Sequence, residues 1–428
     1  MKINLEVLDK KIYADLKMIG RQAESLGFTA YLVGGVVRDI LLKLPSADWD
    51  IVVEGDAIEL AGLIAGAAKA KLTTYEKFGT ATVVLSNGDT FDFATARSEH
   101  YPQPGALPVV KAGSIKEDLF RRDFTINALA VVLNPQGFGE LQDFYGGLVD
   151  LQNGNIHVLH YKSFLDDPTR ILRAVRFESR LDFKLGKETQ RLLKTAIADR
   201  AYLAVKPPRY FAEFRKIFSE KNPAVALKRL AALGGLNFVQ PRFVLPAKTL
   251  LKINKTVPAL RKKDFLKSYD WSVVYFIAFF SQQAIEQIGE LAKHFHLTGK
   301  ELIILKGLQD AVDIQAKLRG ARLKPSQIYE LLDPVELEII CFIRAVTSVN
   351  IVASRIDDFL QKWRLVSLDV TGEDLKNLGF KPGRDMGILL HTLVLRKIDG
   401  ELKTRKDEIE LAKRLGFNIK GVRKDGSH

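Results

Sequence analysis

At 428 residues the chain is too long for one compact core, so several domains are expected. Apolar residues make up 47% and charged residues 27%, a balance that excludes a disordered chain. With 64 Lys and Arg against 51 Asp and Glu the net charge is +13, which favours a phosphate-rich partner, and the single cysteine, Cys341, excludes a disulfide framework and a cysteine-rich zinc site.

Residues 1–13 hold no apolar stretch of the secretory kind, and the longest apolar run, residues 271–280, is about half a membrane span. A cytoplasmic protein with no membrane partner is the expectation. Along the chain, periodicity predicts a helix over residues 5–26 and strands at 29–33, 50–54, 82–85 and 91–94. From about residue 160 onward β-like alternation gives way to helical spacing, with breaks at 206–208, 234–246 and 320–325.

The most informative stretch runs from Tyr31 through Gly34-Gly35 to Arg38, followed by Asp48-Trp49-Asp50. A strand ending in two glycines lets backbone N–H groups approach a phosphate, because no Cβ stands in the way. A helix over 36–44 follows, and Arg38 in it can pair with phosphate oxygens. Asp48 and Asp50 flank Trp49 in a strand, so a period of two puts both carboxylates on one face. Such a pair repels itself unless a cation bridges it, which makes it a candidate Mg²⁺ site. The same pattern also fits a plain turn and a solvated strand edge. Neither a Walker A loop nor a complete dinucleotide-binding glycine fingerprint is present. Asp92, in another predicted strand, is either a third acid of that cluster or a surface residue.

A second constellation, Glu117-Asp118-Leu-Phe-Arg121-Arg122-Asp123 to Asn127, sets two guanidinium groups, an acid and an amide among apolar anchors. Arg122 and Asp123 suit a triphosphate and a ribose, with Asn127 tying the loop down; alone, the run equally fits an ion-paired helix start. Next, Asp167-Pro168 fits an N-cap and first helical position, and Arg170, Arg173 and Arg176 form a basic stripe. The stripe is either a solvated face or a nucleotide contact. In the second case Asp167 and Arg170 face one base edge. An acceptor beside a planar donor selects cytosine and adenine, whose amino groups face the carboxylate, over uracil and guanine.

Together with the turn Asp143-Phe-Tyr-Gly-Gly147 that lies before the last of them, these motifs in this order resemble the class II tRNA nucleotidyltransferases and bacterial poly(A) polymerases over about residues 30–185. The segment from Thr371 to Gly383 continues the resemblance more loosely. It implies an α+β fold: a polymerase-β-like nucleotidyltransferase head over 1–155, then an all-helical neck with the base-reading motif (156–225), body (226–330) and tRNA-binding tail (331–428). The implied activity is addition of C and A from CTP and ATP to a tRNA 3′ end, whether CCA, CC only or A only, with poly(A) synthesis as a neighbouring activity. The implied chemistry is attack of the primer 3′-OH on the α-phosphate, assisted by Mg²⁺. On the family pattern, Asp48 and Asp50 match the metal-binding acids. Gly35 and Arg38 match the phosphate turn, and Arg122 with Asp123 the nucleotide-binding motif. Asp167 and Arg170 match the base-reading pair, with Arg173 and Arg176 as further nucleotide contacts. Two positions depart from the pattern: Asp166 stands where Glu is common, and Pro207-Pro208-Arg209 replaces a Ser-x-Glu-Arg run. Residues 97–114 take the place of the family's flexible loop. Residues 248–267, with seven Lys or Arg against Asp264 alone, are the best local candidate for gripping tRNA, or else a solvated loop.

Overall fold

The computed structural model describes residues 1–46, 48–106, 108–240 and 243–422, with side chains to residue 415. Ala47, inside the motif that ends in Asp48, Leu107, in the expected flexible loop, and Pro241 and Arg242, in the break at 234–246, lie outside the described residues. The chain forms two compact units, Met1–Phe243 and Val244–His428.

The first unit is built on helix α1 (Lys10–Ser25), strand β1 (Thr29–Val33), α2 (Gly35–Leu41), β2 (Trp49–Glu54), α3 (Ala57–Ala68), β3 (Lys71–Tyr75), β4 (Thr80–Val84) and β5 (Thr90–Thr95). A hairpin, β6 (Arg97–His100) and β7 (Val109–Ala112), then leads to α4 (Ile115–Phe120), β8 (Ala130–Val132), β9 (Leu141–Gln142) and α5 (Gly147–Asn153). Seven strands make one sheet in the order β3-β4-β5-β2-β1-β8-β9, antiparallel except for the β2–β5 pair.

Strand periodicity sorts the sheet's two faces. Leu32, Trp49, Ile51, Val53, Phe91 and Phe93 point to a core closed by Leu16 and Ile19 of α1 and by Leu60 and Ile64 of α3. The alternate residues Tyr31, Val33 and Val52 join a second cluster with Ile115 and Leu119 of α4. Asp50, between Trp49 and Ile51, therefore belongs to the α4 face, away from the large apolar core.

The predicted first helix begins later than its periodicity suggests: Leu5–Val7 is a short 3-10 turn, and Asp9 caps α1 by accepting from the Lys11 N–H at 2.8 Å. The helix expected over 36–44 stops at Leu41, and Lys43 takes a left-handed φ of 56°. Strand β3 was not expected because its side chains are all exposed at the sheet edge, so no apolar alternation marks it.

Beyond α5 the first unit is helical apart from the two-residue pair Asn155–Ile156 and Lys184–Leu185. Its helices are α6 (Ser163–Asp166), α7 (Arg170–Leu181), α8 (Lys187–Ala198), α9 (Pro207–Phe218) and α10 (Pro223–Ala232). Both α9 and α10 start on proline, whose fixed φ suits a first turn. Helix α7 packs against α9 and α10 through Ile171, Leu172 and Val175, all buried.

The second unit is all helical among its described residues. Helix Ser272–Phe280, the chain's most apolar stretch, is buried from Val274 to Phe280 and packs with Ala247–Leu260 on Leu337–Val346. Further on, Leu375, Leu389, Leu393, Leu411 and Ala412 form a separate cluster. Beside it the buried Glu408 carboxylate accepts from the Asp369 and Val370 N–H groups and pairs with Lys397. No helix among the described residues is long and apolar enough to cross a membrane.

Candidate active site

The site begins where β1 ends. Gly34 sits at φ +76°, and a Cβ there would lie 2.6 Å from Arg122 Nη1. That contact explains the first glycine better than phosphate access does: it makes room for a guanidinium. Gly35 follows at the cavity surface, its nearest neighbour the Arg38 Nη2.

Arg38 is 2% exposed and held from three sides. Its Nε donates to Asp39 Oδ1 at 2.9 Å, its Nη1 donates to Asn127 Oδ1 at 2.5 Å, and its guanidinium lies 5.1 Å from the Phe177 ring centroid. Burial lowers its pKa, offset in part by Asp39.

Trp49 is buried in the core and stacks near Phe91, so the carboxylates on either side of it emerge on the opposite face. Asp48 is exposed and Asp50 half-buried, and both line one cavity of about 790 Å³. Burial raises the Asp50 pKa; Arg122 opposes this, and Asp92 and Asp48 add to it. Asp92 pairs in register with Asp50 across β2–β5 but is turned to a smaller adjoining cavity and accepts from Thr82 Oγ1 at 2.6 Å. Among the described residues no three His, Cys, Asp or Glu side chains stand together as a metal cage, so Asp92 does not complete one.

The end of helix α4 supplies two of the cavity's guanidinium groups. Ser114 and Glu117 form a capping box at its start, and Asp118, fully buried, anchors two arginines at its end. Arg121 Nη2 donates to Asp118 Oδ1 at 2.7 Å and Arg122 Nη2 to Oδ2 at 2.9 Å. Burial pushes the Asp118 pKa up, but Arg122 and Arg121 override it and hold the carboxyl below its ordinary range. Asp123 is likewise buried, yet Arg173 and the Asn127 side-chain N–H keep it ionised and below that range. Asn127 thus links Asp123 to Arg38, the tying role its spacing suggested.

At the far side stands α7. The turn before it differs from expectation: Asp167 is extended, its Oδ1 accepts from the Thr169 N–H and hydroxyl at 3.1 and 2.7 Å, and the regular helix starts only at Arg170. The tight Asp167–Arg170 turn, closed by Arg170 N–H to Asp167 O at 3.0 Å, absorbs the first helical positions. Nor is the stripe a solvated face. Arg170 and Arg176 are buried, and Arg173 sits between Asp123 and Glu213. Arg170 donates to Ser163 Oγ and to the Arg121 carbonyl, both at 2.6 Å. Its Nε and the second N–H on each terminal nitrogen are left over.

Arg180 and Lys216 line the cavity without any sequence signal, and Glu99 and Tyr101 were placed only within the expected flexible loop. Glu99 accepts from Arg121 and from the Tyr101 hydroxyl, both at 3.0 Å, so the β6 strand closes one wall. Arg209, set aside because its motif departs from the pattern, reaches the cavity too. It donates to Asp167 Oδ1 at 3.3 Å and to the Gly105 carbonyl at 3.2 Å, fastening the tip of the β6–β7 hairpin.

Residues 30–157, which supply part of this cavity's lining, match the family described as Poly A polymerase head domain. Across nearly the whole chain, an A-adding tRNA nucleotidyltransferase from Halalkalibacterium halodurans is 32% identical over 423 residues, covering 95% of this chain and 92% of that one. The chain belongs to the tRNA nucleotidyltransferase family. A second family member, the A-adding tRNA nucleotidyltransferase of Geobacter sulfurreducens, is 35% identical over 418 residues, and the chain spans 47% of its length. Among solved tRNA nucleotidyltransferase structures, the Thermotoga maritima CCA-adding enzyme complexed with tRNA superposes with a TM-score of 0.72 at 32% identity, with 95% of each chain covered. The fold expected for this family, a mixed-sheet head followed by helices, is the one observed.

Proposed function

We propose that this chain adds C and A, from CTP and ATP, to tRNA 3′ ends without a nucleic-acid template. The observation that carries the reading is one cavity lined at once by the Asp48–Asp50 pair, by Arg121 and Arg122, and by Asp167 with Arg170. Those are the groups needed for phosphoryl chemistry, for triphosphate charge and for reading a base edge.

In this reading Arg122 and Arg38 receive the triphosphate at the Gly35 turn, and Asp123 with Asn127 fixes the ribose side. Arg173 and Arg176 add charge along α7. Asp167 accepts from the exocyclic amino group of C or A, and the remaining N–H groups of Arg170 donate to the ring nitrogen. The primer 3′-OH attacks the α-phosphate and pyrophosphate leaves. Mg²⁺ suits the donor set: Asp48 and Asp50 offer only hard oxygen atoms, Asp50 is raised by burial and by its acidic neighbours, and Mg²⁺ commonly takes one or two carboxylates plus phosphate oxygens and water. When bound it would supply charge neutralisation at the reacting oxygens. Asp92 is the third acid of this reading, acting beside Asp50 rather than as a ligand.

The four functional divisions at 1–155, 156–225, 226–330 and 331–428 belong to the same proposal. For the grip on tRNA, helix Ala247–Leu260 buries Leu250, Ile253, Val257 and Leu260 and leaves Lys248 and Lys255 exposed, which supports phosphate contact there. We place the reaction in the cytoplasm, where the lone buried Cys341 stays reduced.

A-addition to ends that already carry CC is the second reading, favoured by the two A-adding relatives. Labelled CTP and ATP offered to transcripts lacking CCA, ending in C or ending in CC separate the readings. Extension of all three to CCA supports the first, and extension of the CC end alone by ATP supports the second. Long A tails on unrelated RNA would contradict both.

A further inference from the structure

Outside the cavity, on the surface of the first unit, a row of rings is left uncovered. Phe120 ends α4, whose Ile115, Asp118 and Leu119 are buried, and its own ring is 44% exposed. It stands between Tyr145, at 5.6 Å between centroids, and His160, at 5.1 Å, and Tyr145 in turn neighbours Phe144 at 6.3 Å. Phe144 is 41% exposed. The row is fixed in place, since the Tyr145 hydroxyl donates to the Lys116 carbonyl at 2.8 Å.

Two lysines stand beside the row. Lys116 Nζ lies 5.9 Å from the Phe144 ring centroid, and Lys162 acts on His160. Neither lysine has an ion-pair partner among the described residues. Carboxylates stand nearby as well: Glu117 accepts from the Ser114 N–H and hydroxyl, and Asp143 from the Gly147 and Leu148 N–H groups. Asp166, 3.9 Å from His160 Nε2, is the remaining carboxylate, and the Arg170 guanidinium lies on the same side.

We propose that Phe144, Tyr145, Phe120 and His160, with Lys116 and Lys162, form a stacking platform for single-stranded RNA. Exposed rings take bases of any sequence on their faces, and unpaired lysines beside them take the phosphates. Phe120 directly precedes Arg121 and Arg122, so RNA lying here passes beside the wall of the cavity without entering it. The platform does not rest on the nucleotidyl-transfer reading, because its test needs no catalysis.

Fluorescence anisotropy of a labelled oligouridine measures it, using the full chain. Phe120→Ala with Phe144→Ala is expected to weaken binding roughly tenfold or more. Lys116→Gln with Lys162→Gln, which keeps every ring, is expected to lower the salt dependence of log K by roughly 1.4. Ultraviolet cross-links should map to the peptides holding Phe144, Tyr145 or Phe120. Unchanged affinity in both double variants, or cross-links confined to the cavity, would overturn the platform. So would a parent dimer that the ring variant abolishes while its RNA affinity is unchanged, which would make the row a self-association face.

Discussion

Arg173 and Asp123 are joined across 50 residues of chain, Nε donating to Oδ2 at 2.8 Å and Nη2 reaching the same oxygen. The pair fastens α7 to the loop after α4, beside the bond from Arg170 to the Arg121 carbonyl. Burial alone lowers the Arg173 pKa, but Asp123 and Glu213 raise it further, and the guanidinium stays charged. Arg173→Ala strands a buried carboxylate, and a loss of about 3 kcal/mol is expected in urea unfolding. Arg173→Lys keeps the charge but not the fork and should fall between the two. An alanine variant as stable as the parent would show that the pair fastens nothing.

Asp118 gives a pH signature. Its folded pKa lies below the ordinary carboxylate value, so it binds protons less readily folded than unfolded. Its stabilisation is therefore present above roughly pH 4 and is lost as pH falls through the folded value. Asp118→Asn leaves Arg121 and Arg122 without their shared anchor. The gap in unfolding free energy between parent and variant should be constant from about pH 5 to 7 and shrink below about pH 4. A gap that widens on acidification would refute the assignment.

Gly34→Ala adds a Cβ at φ +76°, 2.6 Å from Arg122 Nη1. The backbone cost is about 1–2 kcal/mol, and the Arg122 guanidinium must give way. The expected result is a higher KM for nucleotide together with a lower melting temperature. Gly35→Ala, with only Arg38 Nη2 nearby at 3.6 Å, should be milder in both measurements.

Arg209→Ala removes the clasp between Asp167 and the hairpin tip. Hydrogen exchange at Gly105, whose N–H donates to the Leu165 carbonyl at 3.2 Å, should quicken several-fold, while Gly113, bonded to Ala96 at the hairpin base, stays as it was. Equal exchange at Gly105 in both proteins would mean the tip is held without Arg209.

Much of this was legible because local and global signals agreed. Strand β1 was bounded correctly at both ends, since a short apolar run and the glycine pair after it say the same thing. The Asp50 placement followed from a period of two beside the buried Trp49, whereas Asp48 precedes β2 rather than lying in it. Hairpin β6–β7 was not legible as strands: Arg97-Ser-Glu-His and its partner bury little, and their register, Arg97 opposite Ala112, is set only when the chain closes. Asp118 and Arg209 were named but given no role for a related reason. Spacing shows which residues are near in sequence, but not that a carboxylate is fully buried or that a guanidinium spans 104 residues to a carbonyl. The basic stripe on α7 was ambiguous until its burial decided against a solvated face.

The role proposed for Asp48 and Asp50 in nucleotidyl transfer to a tRNA end is tested by single-turnover incorporation of labelled ATP into a transcript ending in CC, with Mg²⁺, by the parent chain and by Asp48→Asn and Asp50→Asn. One added A by the parent is expected, with a loss of at least about a thousandfold in each variant, as for removal of a group that acts only in the transition state. No incorporation by folded parent protein, or full activity in either variant, would contradict it.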